Sequence, residues 1–233
     1  MVTALLVFGR CAGFLFRAPG FSHPSVPPPL RAGIAIALAA AIAPTVSRAS
    51  HIAGIAIVTA LLVEFLIGGA LGMAASLVYD AAYAGGRLVD DYSGVKAIAP
   101  SVALVAPSGF GRIWSLAFTS AFFLTGAYRL TLLALASSFT RMPLEAPLHA
   151  RAFAAFAAAF SMQFVAIALQ VAAPAIGLAF VVQIALGSLS RVIPRFGSFT
   201  LAFPLAFAAA LIATAIVAPP AAGHAPSPAT AIP

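Results

Sequence analysis

Apolar runs recur from one end of the chain to the other, and polar interruptions cut them into about six segments. Their length and composition predict helices. The first runs from Val2 to Phe16, interrupted by Arg10, and the second from Ala32 to Val46. A bilayer core needs about 20 apolar residues at 1.5 Å rise each, so both are short for a span and are expected to pack in protein as much as in lipid. Ala18 to Leu30 between them carries five prolines. Proline lacks an amide donor and disfavours helix in the residue before it, which predicts a stiff, extended connection.

The third segment, Ile52 to Tyr83, is long enough to span. Ala84 to Gly111 is the least hydrophobic stretch in the body of the chain, with Gly85, Gly86, Arg87, Asp90, Asp91 and Lys96, and reads as one long loop at about 84–112. Loops of that length are commonly functional. The fourth segment is Ile113 to Ser138, and the fifth runs from Ala152 to Leu189. As a single straight helix the fifth would measure about 57 Å, and Pro174 leaves the carbonyl of Gln170 without its usual donor, so a sharp kink or break is expected there. A turn through Arg191, Pro194 and Arg195 leads to Phe199 to Val217, which predicts a hairpin over about 174–217. Residues 1–217 then form one helical membrane domain, and 218–233, rich in Pro, Ala and Gly, a disordered tail.

Composition sharpens this picture. Of the 233 residues 63% are hydrophobic and 7% charged, with a mean hydropathy of +1.09; a soluble domain carries roughly a quarter charged residues. The fold class is therefore all-α, a polytopic helical membrane protein. Twelve Lys and Arg against five Asp and Glu leave a net charge of +7, but the arginines stand singly between apolar runs, as in membrane loops. No basic cluster exists to follow a phosphate backbone, so nucleic acid is excluded as a partner. Cys11 is the single cysteine, which rules out a disulfide within the chain.

Candidate chemistry is sparse. His23, His51, His149 and His224 are scattered, without metal-ligand spacing. Neither a P-loop nor a nucleophile elbow is present. The expectation is no enzyme, no cofactor and no metal. Glu64 lies in the middle of the third segment, where an ionised carboxylate is costly unless paired. It is either an ion or proton site or one side of an interhelical tie. Gly68 and Gly72, four and eight residues on, extend the same face as a small-x-x-x-small surface and favour the tie. An ion-coupled secondary transporter using Glu64 and Asp80 remains the alternative. Phe153, Phe156, Phe160 and Phe164 make an aromatic packing stripe, and Gln163, Gln170 and Gln183 are placed to hydrogen-bond across helices. Asp90 and Asp91 beside Arg87 read as a solvated turn. The apolar half of that loop, Val95 to Val105, bounded by Gly94, Pro107 and Gly109, has the character of a movable plug.

Several sequence pieces, in order, resemble the FliR/SctT family of bacterial flagellar and virulence type III export systems. They are Arg10 through Ala18-Pro19-x-Phe21, Ser25-Val26-Pro27 and Leu30-Arg31 to Ala43-Pro44; Glu64 to Gly72; Gly126-Ala-Tyr128 with Ser137-Ser-Phe139; and Ala185 to Pro194 with Phe203-Pro204-Leu205. The resemblance implies a structural pore subunit without chemistry, part of a helical export-gate assembly in the inner membrane. Its partners would be FliP/SctR-type and FliQ/SctS-type subunits, a FlhB/SctU-type subunit, membrane lipid and exported unfolded proteins. The family's plug loop corresponds here to Gly94, Val95, Ile98, Pro100, Val102, Leu104, Val105, Pro107 and Gly109. Glu64, Gly68, Gly72, Pro174, Arg191, Pro194 and Pro204 become the expected packing and assembly residues. The family's usual Asp-Pro pair in the plug is replaced by Ala99-Pro100 and Ala106-Pro107, so no carboxylate role carries over. The sequence leans to the flagellar branch.

Overall fold

The computed structural model describes residues 2–22, 26–47, 54–92, 109–145 and 150–192, together with Ala208 and Ile212. Among them all regular structure is helical: α1 (Val2–Arg17), α2 (Pro28–Ile42) with a 3-10 turn at Ala43–Thr45, α3 (Ile55–Tyr92), α4 (Gly109–Leu124), α5 (Ala127–Arg141) and α6 (Ala150–Ser190). This is an all-helical membrane protein. Three helical stretches, 28–45, α3 and α6, are long and apolar enough to cross a bilayer, and α4 with α5 counts as a fourth, broken one. Large apolar side chains such as Ile55, Leu62, Met162 and Val181 face outward, the reverse of a water-soluble fold.

Four boundaries differ from the sequence reading, each for a local reason. The proline run starts α2 instead of preceding it: Pro27 is extended at φ −61°, ψ 142°, and prolines occupy the first helical positions, where the missing amide hydrogen has no partner to lose. Helix α3 continues through Gly85, Gly86 and Asp90 to Tyr92, so 84–92 is helix where a loop was expected; 93–108 lies outside the described residues. The fourth segment is two helices, because Gly126 adopts φ 74° and ψ 15°. Its amide donates to the Phe123 carbonyl at 3.2 Å, and its carbonyl accepts from Arg129 at 2.9 Å, closing one helix and opening the next. Pro174 does not break α6, which is assigned without interruption from Ala150 to Ser190. Proline is tolerated within membrane helices when neighbouring groups and small local adjustments satisfy the freed carbonyl. Of the expected hairpin at about 174–217, residues 174–190 are the end of α6 and 191–192 the turn after it; the rest of it and the tail fall outside the described residues, apart from Ala208 and Ile212.

The chain divides into two compact units, whose boundaries pass through α3, α4 and α6. In the first, α1 is the centre: Val7, Cys11, Phe14, Leu15 and Ala18 pack with Ala35 and Ala39 of α2 and Leu135 and Phe139 of α5. In the second, the core is Ala82 and Val89 of α3, Phe110 and Trp114 of α4, and Val171, Ala172 and Ala175 of α6.

Candidate functional site: two buried helix junctions

The junction in the first unit is built on glycine. Gly13 of α1 faces the backbone of Phe65, and Gly68 of α3 faces the backbone of Arg10, so tightly that a β-carbon at either position has no room. Gly9 lies against Leu61 and Gly72 against the Phe14 carbonyl, where an added β-carbon would come within 2.6 and 2.5 Å. A surface of small residues four apart on each helix lets the two backbones touch.

That contact brings opposite charges together. Arg10 precedes Gly13 by three residues and Glu64 precedes Gly68 by four, so both project into the same crossing. Arg10 Nε donates to Glu64 Oε2 at 2.6 Å, with the side chains 0% and 1% exposed. Nη1 of Arg10 donates to the carbonyl and the hydroxyl of Ser138 on α5 at 3.0 and 3.2 Å. The guanidinium also lies 4.3 Å from the centre of the Phe139 ring, a cation–π contact. The other carboxylate oxygen of Glu64 accepts the amide of Glu145 at 3.4 Å. Arg10 Nη2 has no acceptor among the described residues. Three helices are thus tied by one arginine. Because a buried ion pair gains attraction only against a large desolvation cost, the neighbouring hydrogen bonds make this one tenable, and its geometry defines how α1, α3 and α5 register.

The second junction uses the stretch read as a solvated turn, and here the structure corrects the sequence. Asp90 is 2% exposed, and its Oδ1 accepts the amide of Phe110 at 3.0 Å. An acid in the last turn of α3 is unfavourable for its own helix dipole, but at the start of α4 it meets a positive end and one of the unpaired amides there. Gly86 allows the approach, since a β-carbon at that position would run into the backbone of Phe110 and Gly111. Gly85 sits equally close to Ala168 and Val171 of α6. Trp114 is buried between α3 and α6, with no acceptor for its indole nitrogen among the described residues.

The expected site residues are therefore scattered. Glu64, Gly68 and Gly72 meet at the first junction. Gly109 begins α4, with its α-carbon facing Asp90 Oδ1, while the other expected plug residues, Gly94 to Pro107, lie outside the described residues. Pro174 is half-buried within α6 and Arg191 lies exposed in the turn after it; Pro194 and Pro204 lie outside the described residues. Phe153, Phe156 and Phe160 stack along α6 with ring centres 6.4 and 6.0 Å apart, and Gln163, Gln170 and Gln183 point outward. Sequence reading missed Arg10 as the partner of Glu64. The signal was the Gly9-x-x-x-Gly13 spacing around it, the counterpart of Gly68-x-x-x-Gly72. Asp90 carried no comparable signal.

Among the described residues no group of three or more His, Cys, Asp or Glu side chains is placed to hold a metal ion. What these junctions do is hold helices in register beneath an apolar exterior. Comparison with known proteins agrees in character. A sequence model described as "Bacterial export proteins, family 1" matches residues 1–227. The chain is 26% identical over 221 residues to the flagellar biosynthetic protein FliR of Pectobacterium carotovorum subsp. carotovorum, covering 91% of this chain and 82% of that protein. It is also 26% identical over 212 residues to the FliR protein of Caulobacter vibrioides, covering 87% and 82%. With its helical membrane architecture and a family match over nearly its whole length, the chain belongs to the bacterial export proteins, family 1, the FliR/SctT family.

Proposed function

We propose that the chain is a structural subunit of the type III export gate, in its flagellar branch and in the bacterial inner membrane. It assembles with FliP/SctR-type, FliQ/SctS-type and FlhB/SctU-type subunits around a conduit for unfolded proteins, and it turns over no substrate. The observation that carries the reading is the mismatch between apolar length and bilayer thickness. Helix α6 has 41 residues and α3 has 38, about 61 and 57 Å of helix at 1.5 Å per residue, against a hydrocarbon core of about 30 Å. Exposed apolar side chains line α6 from Phe153 to Leu189 and α3 from Ile55 to Leu66, with Leu88 near its end. Lipid covers only part of such a surface, and neighbouring protein subunits cover the rest.

In this reading Glu64, Gly68 and Gly72 set the internal packing that presents the outer faces. Pro174, Arg191, Pro194 and Pro204 shape the C-terminal hairpin, which resembles the FliQ-type unit that mounts at the end of the helical array. The segment from Gly94 to Gly109 is the seal that closes the conduit at rest. Removing the gene is expected to abolish export of flagellar proteins, and affinity purification of the chain is expected to bring down FliP- and FliQ-type subunits in fixed ratio. A stable chain that purifies alone, from cells making all the partners, would remove the proposal. Deleting 97–105 is expected to leave assembly intact and make the gate leaky to small ions; an assembled but tight deletion variant removes the seal.

A further inference from the structure

We infer that the corner between α4 and α5 lies at the water boundary of the bilayer and binds the phosphate of anionic phospholipids, through Arg31 and Arg129 set around an aromatic cluster. The inference goes beyond the export role: it names a lipid site and the depth at which the first unit sits.

Gly126 makes the corner. Its left-handed turn brings Phe123 and Tyr128 together with ring centres 6.0 Å apart, and Phe122 meets Phe123 edge-on at 5.3 Å. The loop after α1 joins them. Phe21 lies 6.4 Å from Phe123, and Gly20 packs so closely on that ring that an added β-carbon would come within 2.5 Å. An arginine stands at each end of this chain of contacts. Arg129 is exposed; its Nε donates to the Tyr128 hydroxyl at 3.2 Å, and its guanidinium lies 5.8 Å from the centre of that ring. Arg31 donates from Nη2 to the carbonyl of Ser22, next to Phe21, at 3.3 Å. Arg17, exposed at the end of α1, precedes the same loop.

The charge here is of one sign. The acids of the first unit are Glu64 and Glu145; Glu64 is paired with Arg10, and Glu145 follows the far end of α5 with its amide on Glu64. An apolar surface adjoins the arginines: Leu124 is 86% exposed and Leu133 on α5 is 65% exposed. Water disfavours such a patch, and hydrocarbon disfavours the arginines. The headgroup layer suits both. Aromatic side chains gather there, leucines reach the acyl chains below, and a guanidinium offers phosphate two parallel charge-assisted hydrogen bonds. Positive charge without a nearby acid favours an anionic lipid over a neutral one.

The experiment places a fluorophore at Leu124→Cys in the full chain, extracted with the subunits that accompany it and reconstituted into vesicles of phosphatidylcholine and phosphatidylglycerol. Cys11 is 0% exposed and stays unlabelled. A nitroxide on the lipid headgroup is expected to quench the label more strongly than a nitroxide midway along the acyl chain or iodide in the water. Strongest quenching by the mid-chain nitroxide or by iodide overturns the placement, and so does quenching by none of the three, which would mean that another protein covers the corner. A second measurement compares retention of spin-labelled phosphatidylglycerol and phosphatidylcholine by the same complex. Arg129→Gln is expected to cut the preference for phosphatidylglycerol about fivefold, the scale of one arginine near a charged membrane surface, and Arg129→Lys, which keeps the charge, is expected to lose less. Adding Arg31→Gln is expected to cut it by a similar factor again. An undiminished preference in Arg129→Gln overturns the phosphate contact, and no further loss with Arg31→Gln removes Arg31 from the site. A chain that comes out with no accompanying subunit counts against the export role alone, since the depth of the label is read all the same.

Discussion

Arg10 and Glu64 show how much a membrane helix depends on where its few charges stand. Neither could be left alone in a helix flanked by Leu, Val and Phe, yet together with Ser138, Phe139 and the Glu145 amide they form a compact polar centre. Breaking one side exposes the cost. Glu64→Gln is expected to destabilise the folded chain by about 3 kcal/mol or more, because it leaves a buried guanidinium without its counter-charge. Replacing both partners, Arg10→Met with Glu64→Leu, is expected to recover most of that loss, since well-packed apolar replacements of buried pairs are often neutral or better. Thermal unfolding of the purified complex in detergent distinguishes the two, and a double variant no better than the single one would show that the pair has a role beyond packing. An ion-coupling site predicts a different pattern: loss of function in Glu64→Gln without loss of stability. The pairing to Glu64 was half legible in the sequence. Its glycine-flanked position pointed to an interhelical tie, but its partner lay 54 residues away, and no local pattern measures such a distance.

At the scale of elements, hydropathy located the helices well and their ends poorly. The first segment matches α1 within a residue. The others shift where a single residue has a job the pattern does not reveal. Prolines 28 and 29 begin a helix because first-turn amides go unused. Residues 84–92 read as loop because they are polar and glycine-containing, but those glycines admit neighbouring backbones, and the helix they weaken locally is held by the packing they permit. Gly126 is the opposite case: an isolated glycine in an apolar run that does break the helix. Its φ of 74° is left-handed, where a β-carbon costs roughly 1–2 kcal/mol. Gly126→Ala is therefore expected to lower the thermal midpoint of the complex. Gly126→Asn is expected to lower it less, because asparagine visits that region more readily. Equal midpoints for wild type and Gly126→Ala would mean that the turn re-forms elsewhere.

For the whole molecule, length is the decisive quantity. A helix of 41 residues is about twice what a bilayer needs. Single cysteines placed along the outward face of α6, labelled with a fluorophore and challenged with a lipid-dissolved quencher, are expected to show strong quenching over one window of about 20 residues. Outside that window, labels are expected to be shielded from both lipid and water in the complete complex and to become accessible to water when the partner subunits are stripped away. Quenching along the full length would place the helix flat in lipid and remove the argument for protein cover.

The amino-acid sequence by itself determined that this chain belongs in a membrane, with 63% hydrophobic residues and 7% charged, and that it is helical, because continuous apolar runs satisfy their backbone as helices whereas barrel strands alternate apolar with polar residues. Through the order and spacing of its motifs it also pointed to the export family. Only the tertiary structure decided which residues do the holding. Whether a glycine breaks a helix or lets another helix in, and whether an aspartate is solvated or buried as a cap, depends on what stands opposite in space. Gly68, Gly86 and Asp90 carry the same local chemistry in either case; the neighbour that gives each its meaning comes from another part of the chain.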